Sequence, residues 1–524
     1  MSSANMPAGY ATRWRGIIFI ALSLGLISLD NTILNVALPS ISRALGASAS
    51  DLQWIVDAYV LVFAALLLTM GAIGDRIGRK RALQIGLVLF GIGSLAAAFS
   101  ASVGMLIATR AFLGIGGALI MPATLSLISA TFPQEERAQA IGIWAAVFGL
   151  GIGLGPVLGG LLVQYFSWNS VFLLNIPVVI IALIGGAIYL GESRDESVPK
   201  PDIPGVLLSI VGLFALVYGI IEAGIEGWTA PNVLIAFAIA VVFLVTFGIW
   251  ESRASNAMLP MRFFKNRSFT GANLSLTLTS FAMFGAMFFM SQYFQTVQQI
   301  PSFQAGLRIL PMALTLTIMG TRAPKIAARF GAKRTIATGV LIAAGGMFYL
   351  SQVIRVDTAY IVVAVGQVIL AFGLGMAFSP STATVMQSVP VSKAGIGSAM
   401  NDTTRQLGGA LGIAILGTVA TNAYLSGVAS INGVLAQLPE QAGEAIRSSI
   451  QAAHIVANNP QFPPELRTTI LAAADQAFVN GMTSAMLIGS IVMFGAFVLV
   501  SLVLPSMPRR MMTVEMEPVR AVGD

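Results

Sequence analysis

Long apolar runs separated by short polar stretches follow one another along this chain from end to end. A helix needs about 20 apolar residues to cross a hydrocarbon core roughly 30 Å thick. That criterion predicts spans near 14–38, 52–70, 82–101, 103–129, 138–162, 168–190, 204–223, 231–250, 268–296, 303–322, 333–352, 358–380, 394–420 and 480–504. The pattern therefore predicts an all-α polytopic membrane protein with 14 transmembrane helices. Only one polar interval is long. Within 421–479, Pro439-Glu440 and Pro464-Glu465 each open a helical run, which predicts an external cap of two amphipathic helices. The lone His454 falls in that cap and reads as a surface residue.

Composition narrows the function classes. Hydrophobic residues make up 56% of the chain and charged residues 10%, far from the balance of a soluble protein. With no cysteine, disulfides and thiol chemistry are excluded. No Gly-x-x-x-x-Gly-Lys-Ser/Thr stretch, metal-ligand cluster or nucleophile–base pair occurs, so neither a nucleotide-driven pump nor an enzyme is expected, and no cofactor. The net charge of +7 does not mark a nucleic-acid binder, because its basic residues lie between spans. Of the 29 Lys and Arg, 22 sort to the side of the N-terminus, 4 to the other side (Arg43, Arg355, Arg447, Arg467), and 3 lie within spans (Arg110, Arg308, Arg405). Positive loops stay cytoplasmic. Both termini are thus expected in the cytoplasm of a bacterial cell, with the chain multi-pass in its inner membrane. The first apolar run is too long for a signal-peptide core and reads as a retained span.

The chain also repeats. Ala328-Arg329-Phe330-Gly331-Ala332-Lys333-Arg334 aligns with Asp75-Arg76-Ile77-Gly78-Arg79-Lys80-Arg81, and Lys393-Ala394-Gly395-Ile396-Gly397 with Arg137-Ala138-Gln139-Ala140-Ile141-Gly142. Both offsets are about half the chain, as in secondary transporters built from repeated helical halves. The expected organisation is a six-helix bundle at 1–190, a linker and two inserted helices at 191–267, and a second six-helix bundle at 268–524. The second bundle includes the cap at 421–479 and a cytoplasmic tail at 505–524. The polar, proline-bounded stretch 191–204 is the linker.

Particular motifs make the reading specific. Gly71-x-x-Gly74-Asp75-Arg76-x-Gly78-Arg79-Lys80 resembles the loop 2–3 signature of the major facilitator superfamily. Arg110-x-x-x-Gly114-x-Gly116-Gly117 resembles its helix 4 motif, with Leu113 where a glutamine is common. Gly151-x-x-x-Gly155-Pro156-x-x-Gly159-Gly160 resembles the helix 5 motif of its proton-coupled antiporters. Leu29-Asp30-Asn31-Thr32 and Trp54-Ile55-Val56-Asp57-Ala58-Tyr59 are similar to helices 1 and 2 of fourteen-span drug:proton antiporters, including quaternary-ammonium and dye exporters. The resemblance implies the major facilitator fold and alternating access. It also implies exchange of protons for lipophilic, often cationic, small molecules in the lipid bilayer.

The residues carry their own physical reading. Asp75 is suited to accept charge-assisted hydrogen bonds from Arg79 or from a helix end, forming a latch that Gly71, Gly74, Arg76, Gly78 and Lys80 surround. The later copy has Ala328 in place of Asp75, which predicts a weaker latch in the second half. Small residues and Pro156 bend helix 5 and let it pack closely. An ionisable residue inside a span is a functional pointer. Asp30, Asp57 and Arg110 are expected to share an outer-half aqueous pocket, with Asp30 the first candidate for the proton and a structural Asp30–Arg110 pair the competing reading. Substrate contacts are expected from Asp57, Glu222, Asp402, Arg405 and the soft surface of Met287, Met290 and Tyr293, although Asp402 and Arg405 at i,i+3 also suit a simple pair. Export of a physiological lipid or secreted metabolite is one alternative function. A non-transporting receptor or assembly scaffold is another. The sequence leaves the oligomeric state open, with a monomer the expectation.

Overall fold

The computed structural model describes residues 10–47, 49–193, 202–254, 257, 259–390 and 393–506. Among the described residues, fourteen helical spans are long and apolar enough to cross a membrane, the sixth running Ser170–Tyr189. In chain order their helices are α1 Arg13–Leu45, α2 Ala49–Ile77, α3 Arg79–Ala98, α4 Val103–Thr131, α5 Gln134–Tyr165, α6 Asn175–Tyr189, α7 Ile203–Ile225, α8 Pro231–Arg253, α9 Arg267–Gln292, α10 Ser302–Phe330, α11 Ala332–Val353, α12 Tyr360–Gln387 and α13 Ala394–Val428. Two cap helices follow, α14 Glu440–Ser448 and α15 Ile450–Ala457, and then the last span, α16 Pro464–Val503. Most of the linker and of the tail lies outside the described residues.

Helix ends follow local chemistry. Ser102 caps α4 by accepting from Met105 N at 3.3 Å, and Asp202 caps α7 by accepting from Gly205 N at 3.0 Å. The two repeated basic motifs break their helices in the same way. Gly78 separates α2 from α3 at φ 109°, and Gly331 separates α10 from α11 at φ 89°, a region costly for any residue with a Cβ. The sequence repeat is thus a repeat of backbone conformation.

Helices α1 to α6 form one bundle, and α9 to α13 with α16 form the second. The inserted α7 and α8 pack on each other, and α7 also lies against α2 and α13, one from each bundle. The face bearing the α2–α3 turn is called the basic face and the opposite one the cap face. Three departures from expectation concern the cap. The run opened at Pro464 is the outer part of α16, because no breaker interrupts it before Val503. The run opened at Pro439 breaks at Ser449, whose hydroxyl accepts from Ala452 N at 3.2 Å and starts a new helix. His454 is buried, not superficial: Nδ1 lies 2.9 Å from Gln299 Nε2 and Nε2 lies 2.7 Å from Asp475 Oδ1, tying α15 to α16 and to the α9–α10 connection.

Glycines fix how α5 packs. Gly151, Gly155 and Gly159, at i,i+4 spacing, face Ser28, Thr32 and Ile33 of α1, while Gly142, Gly149, Gly153 and Gly160 face α10. Pro156 meets Gly306 of α10. The contact between α5 and α10 joins the two bundles over most of the membrane depth. A Cβ on Gly142 would come within 2.6 Å of Gly320 O. Overpacking of this kind costs about 1–3 kcal/mol. Gly142→Val is therefore expected to lower the thermal unfolding midpoint of the detergent-purified protein, and an unchanged midpoint contradicts this packing.

Candidate functional site

On the basic face, Asp75 is 3% exposed at the end of α2. Across the Gly78 turn, Arg79 donates from Nε at 2.9 Å and reaches it with Nη2 at 2.8 Å. Its other partner comes from the second bundle. Gly395 N donates to both carboxylate oxygens, at 3.0 and 2.9 Å. This N–H belongs to the first turn of α13, where peptide donors lack intrahelical acceptors and the helix end is partly positive. A carboxylate of one bundle therefore caps a helix of the other. One turn earlier, a Cβ on Gly71 would come within 2.5 Å of Gly395 O and 2.6 Å of Ala399 Cβ, so the glycine permits the closure.

The linker residues Glu192 and Ser193 hold the other side of this motif. Arg79 donates to Ser193 from its backbone and its Nη1, both at 2.9 Å. Glu192 accepts from Lys80 N at 3.1 Å and Arg81 N at 3.3 Å, and a Cβ on Gly78 would collide with its carboxylate. Lys80 Nζ donates to Ala187 O at 2.8 Å. Gly74 meets Ala82, and Arg76 is exposed.

Nearer the cap face lies a dry ion pair. Asp30 and Arg110 are each 1% exposed and bond directly through Oδ2 and Nη1. Asn175 Nδ2 donates to Asp30 Oδ1 at 3.1 Å and lies 3.1 Å from Ser94 Oγ. Arg110 Nε donates to Ile55 O at 3.1 Å, and its guanidinium stacks 4.6 Å from the Tyr59 ring centroid. The pair thus joins α1 and α4 to α2. The Asp57 side chain lies outside the described residues.

A second buried pair sits on α13. Arg405 Nη1 and Asp402 Oδ1 are 3.6 Å apart, and Asn401 Nδ2 donates to that same oxygen at 3.0 Å. Asp402 Oδ2 and Arg405 Nε and Nη1 have no hydrogen-bond partner among the described residues. Arg405 instead stacks on rings of both bundles, 4.1 Å from Phe148, 4.5 Å from Phe378 and 5.2 Å from Trp144. Beside Phe148 and Phe378 is a void of about 20 Å³, room for roughly one water.

The large cavity opens elsewhere. Under the cap, about 380 Å³ lies between α9 and α13, with α2, α7 and the α15 residues Ile450 and Gln451 completing the wall. From α9 it takes Phe284, Phe288, Phe289 and Gln292.

Comparison with known proteins interprets this arrangement. The family model described as Major Facilitator Superfamily matches residues 20–413. The chain belongs to the major facilitator superfamily. It is 36% identical over 484 residues to the multidrug efflux pump LfrA of Mycolicibacterium smegmatis, covering 92% of this chain and 94% of that one. It is 33% identical over 471 residues to the methyl viologen resistance protein SmvA of Salmonella typhimurium, covering 89% and 93%. Among solved structures, the proton:xylose symporter XylE matches with a TM-score of 0.63 at 15% identity, over 95% of this chain and 96% of that one, which is likeness of fold.

In this transporter the sequence-predicted residues separate into three layers. The expected aqueous pocket around Asp30 and Arg110 is absent among the described residues: the pair is dry and lines neither cavity, because Asn175, Ile55 and Tyr59 fill its surroundings. Met287 packs against the core beside the cavity, and Met290 and Tyr293 are buried away from it. Tyr293 O–H donates to Arg355 O at 2.7 Å. Glu222 is 7% exposed, and its carboxylate makes no hydrogen bond or ion pair with a described residue. Sequence reasoning missed Asn175, Glu192, Ser193 and Gly395 as partners. For Asn175 the signal was an amide inside the apolar run Leu173-Leu174-Asn175-Ile176; for Gly395 there was none, since a backbone donor leaves no trace in residue type.

Asp75→Asn retains an acceptor but loses the charge that Arg79 and the α13 terminus face. The chain has no native cysteine, so a single Ala399→Cys reporter at the α2–α13 contact reads the closure. Labelling of that cysteine by a small maleimide is expected to rise roughly tenfold in the Asp75→Asn background, equivalent to about 1.4 kcal/mol. Equal labelling in both backgrounds contradicts a gate held by Asp75.

Proposed function

We propose that this transporter exchanges protons for lipophilic, often cationic, compounds, exporting them across a bacterial inner membrane by alternating access. The basic face, with both termini, is cytoplasmic under the positive-inside rule. The state described here then has its cytoplasmic side closed by Asp75 and Gly395 and its large cavity on the external side.

One observation carries the coupling: Arg110 bridges Asp30 to Ile55 O of α2, and α2 also bears Asp75 at its other end. Removing either charge from a buried pair is strongly unfavourable unless the partner gains another. A proton reaching Asp30 from outside neutralises the carboxylate and leaves Arg110 bonded only to α2. The balance of contacts holding α2 against α1 and α4 changes, and with it the latch. Gradient-driven cycling between the two closures follows if substrate favours one state and the proton the other. Asp402 supports a second titrating site, because its Oδ2 is buried with no hydrogen-bond partner among the described residues.

Asp30→Asn is expected to abolish uphill export of a lipophilic cation driven by an imposed pH gradient in proteoliposomes, while equilibrium binding persists. Export at the wild-type rate moves the carrier role to Asp402, to be read from Asp402→Asn in the same assay. Glu222, buried and unpaired on α7, and Asp57 on α2 serve recognition of positive charge, since a carboxylate offsets lost hydration better than apolar walls do. Glu222→Gln is accordingly expected to reduce efflux of a dication several-fold while sparing an uncharged compound. Equal loss for both compounds contradicts charge recognition and indicates a structural role.

A further inference from the structure

The cavity under the cap has an unusual lining for a cation exporter. None of the described residues that line it is Asp, Glu, Lys, Arg or His. Its volume of about 380 Å³ falls in the range of roughly 300–1,000 Å³ typical of sites for drug-sized molecules. The wall is aromatic and aliphatic, and most of its polar groups are already engaged. Tyr424 O–H donates to Ile446 O at 2.8 Å, and Gln451 Nε2 donates to Gln292 Oε1 at 2.8 Å. Gln406 and Thr421 are different. Both line the cavity, and neither side chain has a hydrogen-bond partner among the described residues.

A cation entering here loses hydration and meets only neutral dipoles among the described residues, a poor exchange at low dielectric. An uncharged ligand buries its apolar surface against Phe284, Phe288 and Phe289 and gives one donor or acceptor to Gln406. We infer that this cavity is a binding site for an uncharged lipophilic molecule that carries a hydrogen-bonding group. The inference deepens the transport proposal by giving one cavity its substrate class, and the binding itself requires no proton gradient.

Gly417 provides a clean probe. It lines the cavity, and a Cβ there meets nothing within 4 Å, so a side chain can enter the space without displacing the wall. The experiment measures equilibrium binding of N-phenyl-1-naphthylamine, neutral with one N–H, and of tetraphenylphosphonium, a permanent cation, to the detergent-purified full chain. Gly417→Phe is expected to weaken the neutral probe at least tenfold. Gln406→Leu, which keeps the size and removes the amide, is expected to weaken it about three- to tenfold, as for loss of one hydrogen bond. The cation's affinity stays within twofold in both variants, and thermal midpoints equal to wild type verify folding. Unchanged neutral-probe binding in Gly417→Phe, or parallel loss of the cation, overturns the assignment. Gradient-driven export in proteoliposomes separates the two ideas. If wild type exports neither probe while binding follows the stated pattern, the transport reading fails and the site stands; if export proceeds while the variants bind the neutral probe normally, the site fails and the transport reading stands.

Discussion

The closed basic face depends on a carboxylate of one bundle accepting from a first-turn peptide N–H of a helix in the other. Asp75 joins Arg79 on its own side to Gly395 on the far side, and nearly all water is excluded around it. Geometry makes this contact selective: Gly71 lets α2 approach α13, and Gly78 lets Glu192 approach the turn. The second repeat keeps the glycine turn at Gly331 but has Ala328 where the first has Asp75. Only the first copy can therefore supply a charged cap to a helix end, and the latch is asymmetric between otherwise similar halves.

The same constraint, that a charge in a dry interior needs a partner, divides the two buried ion pairs. Asp30 and Arg110 are fully supported, each making further bonds to neighbouring helices. Asp402 and Arg405 are not, since their separation exceeds hydrogen-bond length and three of their polar atoms have no hydrogen-bond partner among the described residues. Arg405 is held instead by aromatic faces contributed by α5 and α12, which belong to different bundles. A relative movement of the bundles changes that stacking directly. We propose the satisfied pair as a defined switch and the unsatisfied pair as a place where water or substrate enters and leaves.

Much of the architecture was legible because hydrophobic length and glycine spacing are local properties. The fourteen spans, the repeat and the approximate place of every motif follow from them. What escaped was long-range or made by backbone. Glu192 and Ser193 read as linker, yet they pin Arg79, Lys80 and Arg81. Asp30 read as lining water, and only the packing of Asn175 and Tyr59 around it makes the site dry. The aromatic stripe of α9 was visible, but which residues face the cavity was decided by helical phase against α13: Phe284 and Phe288 do so, whereas Met290 and Tyr293 do not.

Proton release on substrate binding tests the central claim most directly. Weakly buffered, detergent-purified protein is mixed with a saturating lipophilic cation, and the pH is followed with a soluble indicator. The account predicts that wild-type protein releases protons and that Asp30→Asn binds the same compound with little release. Binding to wild-type protein without proton release, or undiminished release from both Asp30→Asn and Asp402→Asn, would contradict it.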